Sequence, residues 1–131
     1  LSELPRNPNG KFDRAALARL AMRQINTSTV WTKGVRQFRG PSLRALLDRI
    51  GAPDDGRLRL TALNDYTIEI PIREVLDAVP LLAIENDGQP MSVRQKGPIW
   101  VVYPYDLSPD WRAERILARS VWQLTRIEVL P

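Results

Sequence analysis

Residues 57–70 read RLRLTALNDYTIEI, and the fold turns on this stretch. Arg57, Leu58, Arg59 and Leu60 alternate charged and apolar side chains. That period of two belongs to a strand with one face buried and one in water. Tyr66, Ile68 and Ile70 repeat it, which predicts a second strand with the tyrosine ring in the core. Between them lies Asn64-Asp65, a frequent turn dipeptide.

Working outward, residues 41–51, PSLRALLDRIG, change the period. Leu43, Leu46, Leu47 and Ile50 form the apolar stripe of a helix that Gly51 is placed to end. APDDG (52–56) is a turn. Residues 25–31 alternate again, with Ile25, Thr27, Thr29 and Trp31 on one side of a strand and Asn26, Ser28 and Val30 on the other. VRQFRG (35–40) predicts a further short strand. Asp13 is placed to cap a short helix over FDRAALARL (12–20), and residues 1–11, rich in proline and asparagine, predict an N-terminal arm.

Downstream, PIREVLDAV (71–79) predicts a short helix with Ile72, Val75, Leu76 and Val79 inward. LLAIENDGQPMSV (81–93) predicts a hairpin turning at Asp87-Gly88. KGPIWVVYP (96–104) holds a buried strand. In LSPDWRAERIL (107–117), Ser108 caps a helix with Pro109 at its first position. SVWQLTRIEVL (120–130) closes as a strand. Short helices and strands without βαβ winding predict an α+β domain over residues 12–131, with a mixed sheet or small barrel-like core flanked by short helices.

Composition removes several chemistries. The chain of 131 residues has no cysteine and no histidine. Disulfides, Cys/His zinc sites and Ser-His-Asp or Cys-His catalysis are excluded. No EF-hand spacing is present, although carboxylates alone remain open as metal ligands. The net charge is +4, and of the 19 cations only Lys11, Lys33 and Lys96 are lysine. These cations are interspersed with acids rather than clustered, which argues against a nucleic-acid surface. No apolar run approaches the ~18–20 residues that cross a bilayer. At the front, LPRNPNGKFDRAAL resembles the closing motif of acyl-activating adenylation enzymes, with Lys11 as its lysine. No carrier-domain serine signature follows, and a polar turn entering a helix is the reading taken.

Three segments carry a broader resemblance: NTSTVWTKGVRQFRGPSLRALLDRIGA (26–52), TALNDYTIEIPI (61–72) and PLLAIENDGQPMSVRQKGPIWVVYP (80–104), with WQLTRIEV (122–129) closing. In order and spacing they resemble the molybdopterin-binding oxidoreductase domain of the sulfite oxidase superfamily, over roughly residues 12–130. The resemblance implies a cysteine thiolate on molybdenum from a segment corresponding to NTSTVWT. Here that position falls near Thr27 or Ser28, and a protonated hydroxyl does not replace a soft thiolate. The chain resembles more closely a cysteine-free branch of short exported pterin-binding proteins. Some of these report pterin to a membrane-bound enzyme of cyclic-di-GMP metabolism. That resemblance implies a non-enzymatic, periplasmic ligand sensor that takes a pterin without molybdenum, its export signal lying outside this sequence. A molybdopterin-dependent oxidoreductase and a protein-interaction module without ligand are the alternatives.

A pterin is a flat polar bicycle that needs a plane to stack on and fixed donors and acceptors around its rim. Thr27, Ser28, Thr29 and Trp31 offer hydroxyls around a ring, and a threonine-rich strand accounts for them equally well. Asn64, Asp65 and Tyr66 offer an amide, a carboxylate and a phenol at a sheet end, and a turn accounts for the first two. Arg94 and Lys96 offer cations, and Gly97 a close backbone approach. Trp100 and Tyr103 read as core. Tyr105, Asp106 and Trp111 read as a loop that either rims a ligand or packs on the sheet.

Overall fold

The computed structural model describes residues 22–50, 54–77, 79–92, 94, 96, 97 and 99–130. The segment 57–71 forms the expected pair: β3 (Arg57–Ala62) runs antiparallel to β4 (Thr67–Pro71), with Leu58 opposite Ile70 and Leu60 opposite Ile68. The C-terminal strand β9 (Leu124–Leu130) lies on the other side of β3 and sets Leu60 against Ile127. Leu58, Leu60, Ile70 and Ile127 are buried. The outward arginines meet acids across the strands: Arg57 with Glu69 at 2.9 Å, and Arg59 with Glu69 at 3.5 Å and Glu128 at 3.9 Å. The Arg/Leu alternation therefore serves both faces, a core below and a cross-strand charge ladder above.

A second sheet has the order β1 (Met22–Thr27), β2 (Arg36–Pro41), β6 (Glu85–Asn86) and β7 (Gln89–Pro90). Strands β6 and β7 are the predicted hairpin. Its two-residue turn has φ of 52° at Asp87 and 82° at Gly88, the paired positive values that a tight hairpin requires. The third sheet pairs β5 (Leu81–Ala83) with β8 (Trp100–Val102), both fully buried. It sits against β2 so closely that a Cβ added to Gly40 would lie 2.0 Å from the Leu82 carbonyl oxygen. Helix α1 (Leu43–Ile50) places Leu43, Leu46 and Leu47 in the core, and the Ser42 hydroxyl caps it by accepting the Ala45 N–H at 3.1 Å. One hydrophobic cluster joins α1, the three sheets and α2 (Glu114–Arg119).

The α+β class stands. Every strand pairing among the described residues is antiparallel, so the sheet is not mixed, and no pairing closes the three sheets into a barrel. The expected strand over 25–31 stops at Thr27. Beyond it the Thr29 hydroxyl accepts the Trp31 N–H at 3.0 Å and bonds the Thr32 hydroxyl at 2.8 Å. Such local bonds compete with the ladder and turn the chain. The expected helix over 71–79 shrinks to one 3-10 turn at Ile72–Glu74, and Leu76 is exposed. The Arg44 guanidinium takes the carbonyls of Ile72 and Val75, at 3.1 and 2.7 Å, and Val75 is extended. Tyr66 is 44% exposed rather than core, because the chain is still in its turn there and β4 begins only at Thr67. The predicted arm, the helix over 12–20, Lys11 and Gly51 lie outside the described residues.

Candidate ligand-binding site

The loop between β1 and β2 positions the site. Thr27, fully buried, donates its hydroxyl to the Ser28 carbonyl at 2.9 Å and accepts the Asp106 N–H at 3.1 Å. The Ser28 N–H and hydroxyl both donate to the Asp106 carboxylate, the former at 2.7 Å. Arg112 donates to the Ser28 hydroxyl at 2.9 Å and to the carboxylate at 2.7 Å. With the Ser28 hydroxyl as the largest cause, then its N–H and Arg112, the Asp106 carboxyl is pulled down to about 2. The Thr27 and Ser28 hydroxyls read as ligand groups are thus committed to anchoring the loop on residues 105–112, and that of Thr29 is committed to Trp31 and Thr32 within the loop. Thr27, Ser28 and Thr29 line neither of the cavities described below.

Anchored this way, the loop projects Trp31 inward. Its ring meets Trp122, Trp100 and Tyr105 edge-on, at centroid distances of 5.2, 6.0 and 6.3 Å. Tyr105 is buried, and Trp111 stacks on Tyr103 at 5.7 Å, so both pack within the domain. Trp31 is the partition between two cavities.

The larger cavity, about 510 Å³, lies among residues 31–36, the hairpin residues 86–91, Lys96 and Trp100. This volume is in the ~300–1,000 Å³ range of small-molecule sites. Three of its lining residues hold a buried polar atom with no partner in the protein: Arg36 Nε, Asn86 Oδ1 and Trp100 Nε1. A buried group left unsatisfied costs roughly 1–3 kcal/mol, and most such groups in native proteins are paired. Here two donors and one acceptor belong to residues that line one cavity. Arg36 also grips Asp87 through Nη1 at 2.8 Å, and the Gln37 N–H donates to Asp87 at 2.8 Å. That N–H, followed by Arg36, holds the Asp87 carboxyl below its ordinary range. Lys96, with φ of 75°, sets its ammonium 5.1 Å from the Trp122 ring and 6.0 Å from the Trp100 ring.

The smaller cavity, about 240 Å³, lies across Trp31 and includes Asn64 and Tyr66. Asn64 accepts the Tyr66 N–H at 3.1 Å, and the Tyr66 hydroxyl donates to the Ala118 carbonyl at 2.8 Å.

Of the residues proposed from sequence, Trp31 and Lys96 reach the larger cavity, and Trp31, Asn64 and Tyr66 the smaller. Asp65 is an exposed turn residue with φ of 69°, and Arg94 is exposed; neither lines a cavity. Gly97 makes its close approach to the protein itself: an added Cβ would sit 2.0 Å from the Met91 carbonyl oxygen. Sequence reasoning missed Arg36, Asn86 and Asp87 as lining residues of the larger cavity; Trp100, read as core, is fully buried and also borders that cavity. The polar hairpin tip ENDGQP was the signal for two of them.

These features define a small antiparallel α+β domain with an aromatic-walled, cation-bearing cavity. Residues 14–130 match the oxidoreductase molybdopterin binding domain, and the chain belongs to that family, within the sulfite oxidase-like superfamily. No curated protein matches the chain. The chemistry of the larger cavity fits the pterin part of the family's cofactor: ring planes, two unpartnered donors and one acceptor. It does not fit a thiolate-held metal, since the chain has no cysteine, and no cluster of three carboxylates gathers among the described residues.

Proposed function

We propose that this domain binds a pterin in the larger cavity and holds it without transforming it. The observation that carries this reading is that Arg36, Asn86 and Trp100 all line one cavity of ligand size and each holds a buried polar atom with no partner in the protein. A pterin rim presents acceptors for the two N–H groups and an amino donor for the amide oxygen. Trp31 and Trp100 supply ring surfaces, and Lys96 and Lys33 place positive charge near an oxyanion or carboxylate of the ligand. A protein-derived thiolate for molybdenum would have to come from a chain that carries none, which favours binding over turnover.

In the finer reading, the protein is an exported, periplasmic sensor that reports pterin occupancy to a membrane-bound cyclic-di-GMP enzyme. The support for that role is the resemblance to the cysteine-free branch. A molybdopterin-dependent oxidoreductase is the alternative, and metal in protein purified from a cofactor-competent host would favour it.

The test is a pterin panel, oxidised and reduced, read by thermal melting and by tryptophan fluorescence. A ligand at 100 times its Kd stabilises the native state by about 2.7 kcal/mol, which raises Tm by several degrees in a domain of this size. Trp31 and Trp100 emission should change in parallel. A panel that leaves both Tm and emission unmoved at millimolar concentration overturns the reading.

A further inference from the structure

The smaller cavity differs in kind from the larger. Its walls are Trp31, Trp122, Val121, Leu117, Ala62 and Ala118, with Asn64, Tyr66 and Ser120 supplying its polar atoms, and no charged residue lines it. A ligand bearing a net charge would lose its hydration there with nothing to compensate it. The polar atoms are also largely committed. The Ser120 hydroxyl donates to the Ile116 carbonyl at 2.9 Å and accepts the Tyr105 hydroxyl at 2.6 Å. The Tyr66 hydroxyl donates to Ala118, and Asn64 Oδ1 is held by the Tyr66 N–H. Asn64 and Tyr66, both exposed, give the cavity an opening to solvent.

We infer that this cavity is a second binding site, for a small, flat, neutral aromatic molecule of one or two rings. The size agrees: an apolar cavity of ~150 Å³ takes benzene, and this one is about 240 Å³. The chemistry agrees as well. The edge of Trp31 against Trp122 leaves aromatic surface on the cavity wall, and aromatic pairs of this kind favour offset or edge-to-face contact with another ring. The inference does not depend on pterin occupying the larger cavity.

Indole is the probe. Titrated into ¹⁵N-labelled native protein, it should shift the amides of Ala62, Asn64, Ala118 and Val121 more than those of Asn86 and Asp87. Ala118→Met fills the space from a wall the larger cavity does not share. It should weaken indole at least tenfold while keeping a dispersed spectrum. No shifts at millimolar indole, shifts centred on the hairpin 85–90, or a folded A118M that binds indole as the native protein does, would each overturn the inference. Should A118M fail to fold, the native titration map decides. Because indole is tested without pterin, failure here leaves the pterin reading untouched, and the reverse holds too.

Discussion

At the scale of single residues, the decisive distinction is between polar groups that are satisfied and those that are not. Asn86, which lines the larger cavity, carries a buried, unpartnered Oδ1. Asn86→Leu, close in shape, removes that unsatisfied acceptor, so the ligand-free protein should melt at the same temperature or slightly higher. The same change should weaken pterin about tenfold, the loss of one hydrogen bond of about 1.4 kcal/mol. Weaker melting with unchanged pterin affinity would show that Asn86 serves the fold alone. Asp106 is the opposite case, a carboxylate with its partners already supplied by Ser28 and Arg112. Unfolded, it protonates at its ordinary 3.8; folded, at about 2. Between those values only the unfolded chain takes up the proton, so its stabilising contribution is whole above about pH 4 and is lost as pH falls toward 2. Asp106→Asn should lower stability at neutral pH and flatten this acid limb, as read from urea midpoints between pH 2 and 5.

At the scale of elements, close backbone contact fixes how the sheets stack. Gly40 on β2 faces the Leu82 carbonyl, and even one methyl has no room there. Gly40→Ala should destabilise the domain by roughly 1–3 kcal/mol or more, since the obstacle is backbone that cannot rotate away. Denaturant unfolding measures this directly, and a change below a few tenths of a kcal/mol would mean that β2 and β5 can separate freely. Several elements were legible before any coordinates: the β3–β4 pair, the leucine stripe of α1, the Ser108 cap and the Asp87-Gly88 turn. Each rests on a repeat or a turn chemistry complete within a few residues. The helix expected over 71–79 failed because its competitor, Arg44, comes from α1.

At the scale of the whole molecule, Trp31 stands in the wall of both cavities. If each ligand displaces this shared ring the two sites are coupled, and coupling is reciprocal. Saturating indole should change the pterin Kd by at least ~5-fold, and saturating pterin should change the indole Kd by the same factor. Cross-titration by calorimetry reads both, and independent affinities would mark Trp31 as a rigid partition.

The sequence by itself determined the strand and helix segments, the hairpin turn and the absence of a thiolate, because these depend on neighbours in the chain or on composition. It also singled out Trp31 and Lys96, which line the larger cavity. The folded chain alone reveals that the threonine- and serine-rich loop is an anchor and that Arg36, Asn86 and Trp100 line the larger cavity with buried, unpartnered polar atoms. A hydroxyl or an amide is free to bind a ligand only if nothing else has claimed it. The claimant of Ser28 is Asp106, 78 positions away along the chain.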